Sequence, residues 1–248
     1  MHRFYLPPEN CRGELLRLDG REAHHALHVL RLRRGERVTL LDGAGHEMLC
    51  EVEGAVNDSL GLAMKENKHT PAPACAITLL VAVPKGKLIE SIIQKAVELG
   101  AHRIVPLLTE RVVTELDDAG AEAKRAKWQT VAIEAIKQCG APWLPKVEAP
   151  ETIAEFLARG ENFELALVGS LQTERRHPRE WIRAFQQQHG RQPQSAAAWI
   201  GPEGDFTVAE LRAIEAAGAK AVTLGPLTLR VETAAIYCLS ILNYEIPG

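Results

Sequence analysis

The sequence has no Cys-x-x-Cys pair; its five cysteines (Cys11, Cys50, Cys75, Cys139 and Cys238) are scattered along 248 residues. That spacing excludes a disulfide framework and a thiolate zinc site, and it fits a reducing cytoplasm. No apolar stretch runs unbroken for the ~18 residues of a membrane span, and none follows a basic N-terminal start. A basic excess is missing too: 29 Lys and Arg stand against 32 Asp and Glu, a formal charge of −3. No global field draws this chain to nucleic acid, so any RNA contact must come from a local patch. Internal repeats and low-complexity tracts are also absent. What remains is an ordinary globular composition, 46% hydrophobic and 25% charged. The chain is long enough for one large or two modest domains with a real core.

The first 68 residues alternate like the strands of a small barrel: 14–18, 37–41, 48–52 and 60–64, each bounded by turn residues. A helix over about 21–30 interrupts them, with Asp19 placed to cap it, and Asp42-Gly43 is a hairpin signal. The polar, proline-spaced stretch 67–73 reads as a linker. Beyond it, strands alternate with helices. Residues 77–81 are apolar on both faces, as in a buried parallel strand, and apolar residues repeat at helical spacing over 88–99 up to Gly100. A strand follows over 103–108, then a helical stripe with Trp128, Ala132 and Ile136 ahead of Gly140. Thr152 and Glu155 have capping-box spacing, 165–168 is a strand, and Pro178 opens a helix that ends at Gly190. Such alternation implies an α/β domain with a doubly wound parallel sheet. The final helix, 231–244, is apolar on almost every face, which suits burial in its own domain and also a subunit interface.

The last fifty residues hold two strand-loop-helix corners. The first is Trp199-Ile200-Gly201-Pro202-Glu203-Gly204-Asp205-Phe206-Thr207, in which Thr207 with Glu210 forms a capping box and Phe206 with Leu211 a hydrophobic staple. The second runs from Leu224-Gly225-Pro226 to Arg230-Val231-Glu232-Thr233. Glycine and proline directly after a strand let backbone turn tightly and come close to a ligand, and two such corners side by side make a crevice. Other constellations carry less. Gly43-Ala44-Gly45 lacks the third glycine and the βαβ context of a dinucleotide site, and Gly86-Lys87 lacks the rest of a P-loop. His24, His25 and His28 share a short helix without a carboxylate or cysteine to complete a metal site. Residues 21–37 hold five arginines against Glu22 and Glu36, a local basic patch.

Gly-Pro-Glu-Gly at 201–204, followed by Leu229-Arg230-Val231-Glu232-Thr233-Ala234-Ala235, resembles the SPOUT superfamily of knotted methyltransferases. Further motifs extend the likeness nearly end to end: 2–5 (HRFY), 29–32 (VLRL), 41–45 (LDGAG), 85–87 (KGK), 94–100 (QKAVELG) and 138–140 (QCG). In that order they most resemble the 16S ribosomal RNA uridine N3-methyltransferases. The resemblance implies a PUA-like RNA-binding β-barrel over 1–68 and a SPOUT α/β-knot domain over 74–248. It also implies homodimers, a cytoplasmic location, no metal and S-adenosylmethionine as methyl donor. The donor would be held by three loops, here Val168 and Gly169; Ile200, Gly201, Pro202, Glu203 and Gly204; and Leu224, Gly225, Leu227, Leu229 and Thr233. Arg3, His25, His28, Arg31, Arg33, Lys85 and Lys87 would meet RNA of the small ribosomal subunit. Arg230 would stabilise the uracil anion at N3, with Glu232 orienting it or helping to remove the proton. Three positions depart from the family pattern: Asp205 for glycine, Leu227 for arginine, and Ala141-Pro142 for a glycine-arginine step. Two alternatives remain open, ribose 2′-O-methylation of tRNA or rRNA and a non-catalytic RNA-binding assembly factor.

Overall fold

The structure, a computed structural model, describes residues 1–86, 88–111, 117–171 and 175–246. The chain divides into two compact units, Met1–Ala72 with Ile133–Leu144, and Pro73–Ala132 with Pro145–Gly248.

The first unit holds a five-stranded sheet of β1 (Arg3–Tyr5), β2 (Leu15–Leu18), β3 (Arg37–Leu41), β4 (His46–Val56) and β5 (Ser59–His69), in the order β1-β3-β4-β5-β2. Alternate side chains of these strands, among them Phe4, Leu18, Leu40, Met48 and Leu62, fill one core together with Ala23 and Ala26. Ala23 comes from α1 (Gly20–His24) and Ala26 from the π-helical turn over His25–Val29 that continues it, in place of the plain helix expected. Asp19 occupies the cap position of α1, yet its carboxylate bonds no helix amide. It is taken instead by Arg17 and by the Ser59 hydroxyl from across the sheet. The β3–β4 hairpin turns at Asp42-Gly43 as read: Asp42 Oδ1 accepts the amides of Ala44 and His46, and Gly43 has φ 72°. Unlike the linker read at 67–73, β5 runs through His69, paired with His46, so the linker starts at Thr70.

The second unit contains, in chain order, β6 (Ala76–Ala82), α2 (Leu88–Glu98), β7 (Arg103–Leu108), α3 (Asp118–Cys139, whose last turns belong to the first unit), β8 (Lys146–Val147), β9 (Glu151–Thr152), α4 (Ile153–Ala158), β10 (Leu165–Gly169), α5 (Pro178–His189), β11 (Ser195–Ile200), α6 (Val208–Ala216), β12 (Lys220–Val222) and α7 (Val231–Glu245). Seven strands form one sheet in the order β12-β10-β11-β6-β7-β8, with β9 also on β7, and every pairing is parallel. The parallel α/β sheet read from the strand-helix rhythm is therefore present. One face, through Leu80, Val105, Val168 and Trp199, packs on Phe156 of α4 and Leu211 and Ile214 of α6. The intervening residues Leu79, Val81, Leu167 and Ala198 are buried as well; α7 packs on β6 and β11, and also on α2 and α5.

Local chemistry sets the helix ends. Both capping boxes form, at Thr152–Glu155 and Thr207–Glu210, and Gly190 ends α5 in the left-handed region at φ 67°. Along α7, Val231, Ala235, Cys238, Leu239 and Leu242 are buried, while Tyr237 and Tyr244 are 43% and 80% exposed. The helix thus has one face in the core and an aromatic face outside it. Among the described residues no helix is long and apolar enough to cross a membrane.

The starts of β10 and β11 are tied by one carboxylate. Glu164 accepts both terminal nitrogens of Arg191, at 2.6 and 2.8 Å, and the Gln194 amide at 2.7 Å. These bonds, led by Arg191, lower its carboxyl from the ordinary 4.5 to about 2. A depressed carboxyl stabilises the fold fully above its unfolded value and loses that contribution as the pH falls through its folded value. Glu164→Gln is therefore expected to melt below the parent at pH 7, with the gap closing between about pH 4.5 and 2. Thermal melts across that range check it, and a gap independent of pH would refute the assignment.

Candidate active site

Because the sheet is parallel, the carboxyl ends of β10, β11 and β12 lie side by side, and the loops leaving them surround one cleft. The loop after β10 contributes Gly169, Ser170, Leu171 and Arg175. The loop after β11 contributes Ile200 to Glu203 and Asp205, and the one after β12 contributes Leu224, Gly225 and Leu227 to Leu229. Val231 and Ala234 of α7 close the floor. Its empty volume, open mouth included, is about 570 Å³.

The loop after β11 is held by packing and by two acids. A Cβ on Gly201 would lie 3.1 Å from both the amide nitrogen and Cδ2 of Phe206, whose ring is fully buried, so a side chain there would have to push that residue by a few tenths of an ångström. Asp205, 8% exposed, has φ 64°, a left-handed conformation that few side chains adopt. Its Oδ1 accepts the Phe206 amide at 2.8 Å, and its Oδ2 accepts the Leu171 amide at 2.9 Å. That second bond joins the loop after β11 to the loop after β10. Glu210, equally buried, accepts the Thr207 amide at 2.7 Å and, through its other oxygen, the Glu110 amide at 2.9 Å. The loop after β12 turns on Gly225, φ 118°, with the Thr223 hydroxyl bonded to its amide and carbonyl.

Of the residues read as cofactor loops, Gly169, Ile200, Gly201, Pro202, Glu203, Leu224, Gly225, Leu227 and Leu229 line the cleft. Val168 is fully buried one residue earlier in β10. Thr233 is exposed on α7, and Gly204 faces the side chain of Arg111. Arg230 takes the cap position of α7 without a side-chain cap bond, between the lining residues Leu229 and Val231. It is exposed, Glu232 is half-buried, and the two form no ion pair.

The residues read as RNA contacts are spread more widely. His25, His28, Arg31 and Arg33 are exposed on the π-helical turn and just after it, Arg31 in the left-handed region at φ 57°. Lys85 is exposed after β6, and Lys87 lies outside the described residues. Arg3 is already engaged: it donates to the carbonyls of Lys137 and Gln138 at the end of α3 and lies against Gly140, a cation at a helix C-terminus. The sequence reading missed Arg175, which lines the cleft and donates to the Ser170 carbonyl at 2.9 Å, and Arg111 beside Gly204. Their one sequence signal is position: each stands shortly after a strand of the parallel sheet.

Most of the residues that line the cleft are glycine, proline or aliphatic; Arg175, Glu203 and Asp205 are its charged ones, and none is a cysteine. Burial pushes Cys50 and Cys75 up to about 11 and Cys238 to about 12, which removes thiolate chemistry at neutral pH. Among the described residues no three His, Cys, Asp or Glu side chains converge as a metal group would need. Fold and site together define an α/β ligand-binding domain carried with a small β unit. A family model described as an RNA methyltransferase domain matches residues 70–243, and one described as an RNA methyltransferase PUA domain matches 18–60. Ribosomal RNA small subunit methyltransferase E of Bacillus subtilis (strain 168) is 31% identical over 234 residues, 92% of this chain and 89% of that protein. A methyltransferase from Legionella pneumophila, solved in complex with the bound cofactor SAM, matches with a TM-score of 0.84 at 31% identity, over 98% of this chain and 96% of that one. Ribosomal RNA small subunit methyltransferase E from Neisseria gonorrhoeae, bound to S-adenosyl methionine, gives 0.82 at 28% identity, over 98% and 97%. The chain belongs to the RNA methyltransferase family, in the group of the ribosomal RNA small subunit methyltransferases E.

Asp205 gives the site a graded test. Asp205→Ala keeps the strained φ and loses both amide bonds, a cost of about 3 kcal/mol. Asp205→Gly loses the same bonds but relieves the left-handed strain, so it should cost about 1 kcal/mol less. Denaturant unfolding of both variants measures the difference, and equal losses would contradict the strain at this position.

Proposed function

We propose that this protein transfers the methyl group of S-adenosylmethionine to N3 of a uridine in 16S ribosomal RNA of the small subunit, in the cytoplasm, as a homodimer. One observation carries the reading: nine of the twelve residues read from sequence as donor loops, drawn from three separate strand ends, line a single cleft. Two similar proteins solved with the donor bound support it, and so does the name of the Bacillus subtilis relative. The reading includes the trefoil knot of the family in the C-terminal part.

The residues present fit such a donor. Glycine-rich turns offer main-chain amides and carbonyls to an adenine and a methionyl group without a charged side chain. The donor supplies a methyl group on a cationic sulfur, so a cation is better placed on the acceptor side than beside it. Arg230, exposed at the mouth of the third loop, is assigned that position. Loss of the N3 proton spreads negative charge onto O2 and O4 of the uracil, and a fixed guanidinium stabilises that charge. Glu232, one residue into α7, is assigned to orient Arg230 or to assist removal of the proton. The remainder of the rate comes from alignment of the acceptor nitrogen with the methyl group. RNA capture is assigned to the exposed arginines and histidines of the first unit, Arg31 and Arg33 foremost.

Arg230→Ala is expected to retain donor affinity, measured by calorimetry, while methyl transfer falls about a hundred- to a thousandfold. Arg230→Lys should recover only part, since an ammonium cannot copy the planar fork. An alanine variant within severalfold of the parent rate would leave Arg230 a structural residue, and no donor binding by the intact protein would overturn the reading itself. The aromatic outer face of α7, Tyr237 with Tyr244, is the surface assigned to the dimer. Light scattering should give twice the chain mass, and a monomer that still methylates would refute that part.

A further inference from the structure

Arg111 is built into the site without lining the cleft. It stands just after β7, two residues past Thr109, and its side chain crosses Gly204 in the loop after β11. A Cβ at Gly204 would lie 3.3 Å from both Cδ and Nη1 of Arg111, so glycine at 204 leaves the space that this arginine fills. Nη1 donates to the Asp205 carbonyl at 3.2 Å. The preceding amide, of Glu110, is fixed by Glu210 at 2.9 Å, the same carboxylate that caps α6. Arg111 is therefore located from both ends, by its own backbone and by the loop whose other side holds the cleft.

Its charge meets no carboxylate among the described residues. The chain carries more acids than bases, 32 against 29, and other arginines find carboxylates: Arg103 with Glu161, Arg159 with Glu151, Arg179 with Glu245, Arg191 with Glu164. Arg111 joins no ion pair among the described residues, and the residue is exposed. Of its five donor hydrogens, one bonds a neutral carbonyl. An arbitrary surface arginine is not seated on a glycine, nor tied to a ligand loop. A planar, permanently charged fork at a fixed place suits a phosphate.

We propose that Arg111 binds a backbone phosphate of the acceptor RNA next to the methylated nucleotide, with Gly204 as its seat. The inference rests on the RNA methyl-transfer reading above. Phosphate contacts set position and not sequence, so the role of Arg111 is to fix how far the target base lies from the donor. That differs from the charge stabilisation assigned to Arg230.

The test uses the full chain, calorimetry with S-adenosylmethionine, and binding and methyl transfer with small-subunit ribosomal RNA over a range of salt. Arg111→Gln keeps a donor for the Asp205 carbonyl and removes only the charge; Arg111→Ala removes both. Donor affinity should stay within about threefold of the parent. The slope of log affinity against log salt should fall by about 0.7 to 0.9, the release of one phosphate contact, and kcat/KM for transfer by about tenfold. Arg111→Lys should restore the salt slope but not the full kcat/KM, because the charge returns without the fork. Gly204→Val, whose branched side chain would fill the space of Arg111, should lower kcat/KM by displacing it, and the double variant with Arg111→Ala should be no worse than Arg111→Ala alone. An unchanged salt slope in Arg111→Gln overturns the proposal, and so does a tenfold loss of donor affinity in that variant. The salt slope is read on binding, so it decides on Arg111 even if the parent transfers no methyl group, a result that would instead remove the methyl-transfer reading.

Discussion

The cleft depends on two buried carboxylates that take main-chain amides from loops other than their own. Glu210 caps α6 with one oxygen and holds the Glu110 amide with the other; Asp205 holds the Leu171 amide. Charged acceptors on amides form stronger bonds than neutral pairs do, and in a buried setting the loss of one leaves a group unpaired. Three connections that share no sequence neighbourhood are thereby fixed with respect to one another. The parallel sheet brings their strand ends together, and these carboxylates set the gaps between the loops.

The division of charge follows from that frame. The lining of the cleft is mostly glycine, proline and aliphatic residues, with two acids, Glu203 and Asp205, against one base, Arg175. One arginine, Arg175 on the carbonyl of Ser170, is part of the lining; two more stand beside it, Arg111 on the carbonyl of Asp205 and Arg230 exposed at the head of α7. None of these three makes an ion pair among the described residues. A chain of formal charge −3 can thus act on a polyanion through a few placed cations, without any global attraction.

Features written in a few consecutive residues were legible in the sequence. The boxes Thr152–Glu155 and Thr207–Glu210 formed because each is a complete local circuit of two bonds. The Asp42-Gly43 turn and the left-handed Gly190 are equally local. Asp19 shows where this fails: the cap pattern was present, but Ser59 and Arg17 compete for its carboxylate, and Ser59 is far away in sequence. The sheet order was not legible, since placing β11 between β10 and β6 is a matter of long-range pairing. At the site, glycine and proline after apolar strands pointed to most of the lining. Arg111 and Arg175 carried no motif; what marks them is contact with Gly204 and with the Ser170 carbonyl, which only the fold reveals. Arg3 has its partner at the end of α3, again a contact distant in sequence.

The central claim is that this cleft presents a methyl donor to N3 of a uridine in small-subunit ribosomal RNA. The most direct measurement is transfer of labelled methyl from S-adenosylmethionine to small ribosomal subunits, followed by mass analysis of the released nucleosides. The account predicts label in 3-methyluridine. Label in a 2′-O-methylated nucleoside, or no transfer by a protein that binds both donor and RNA, would contradict it.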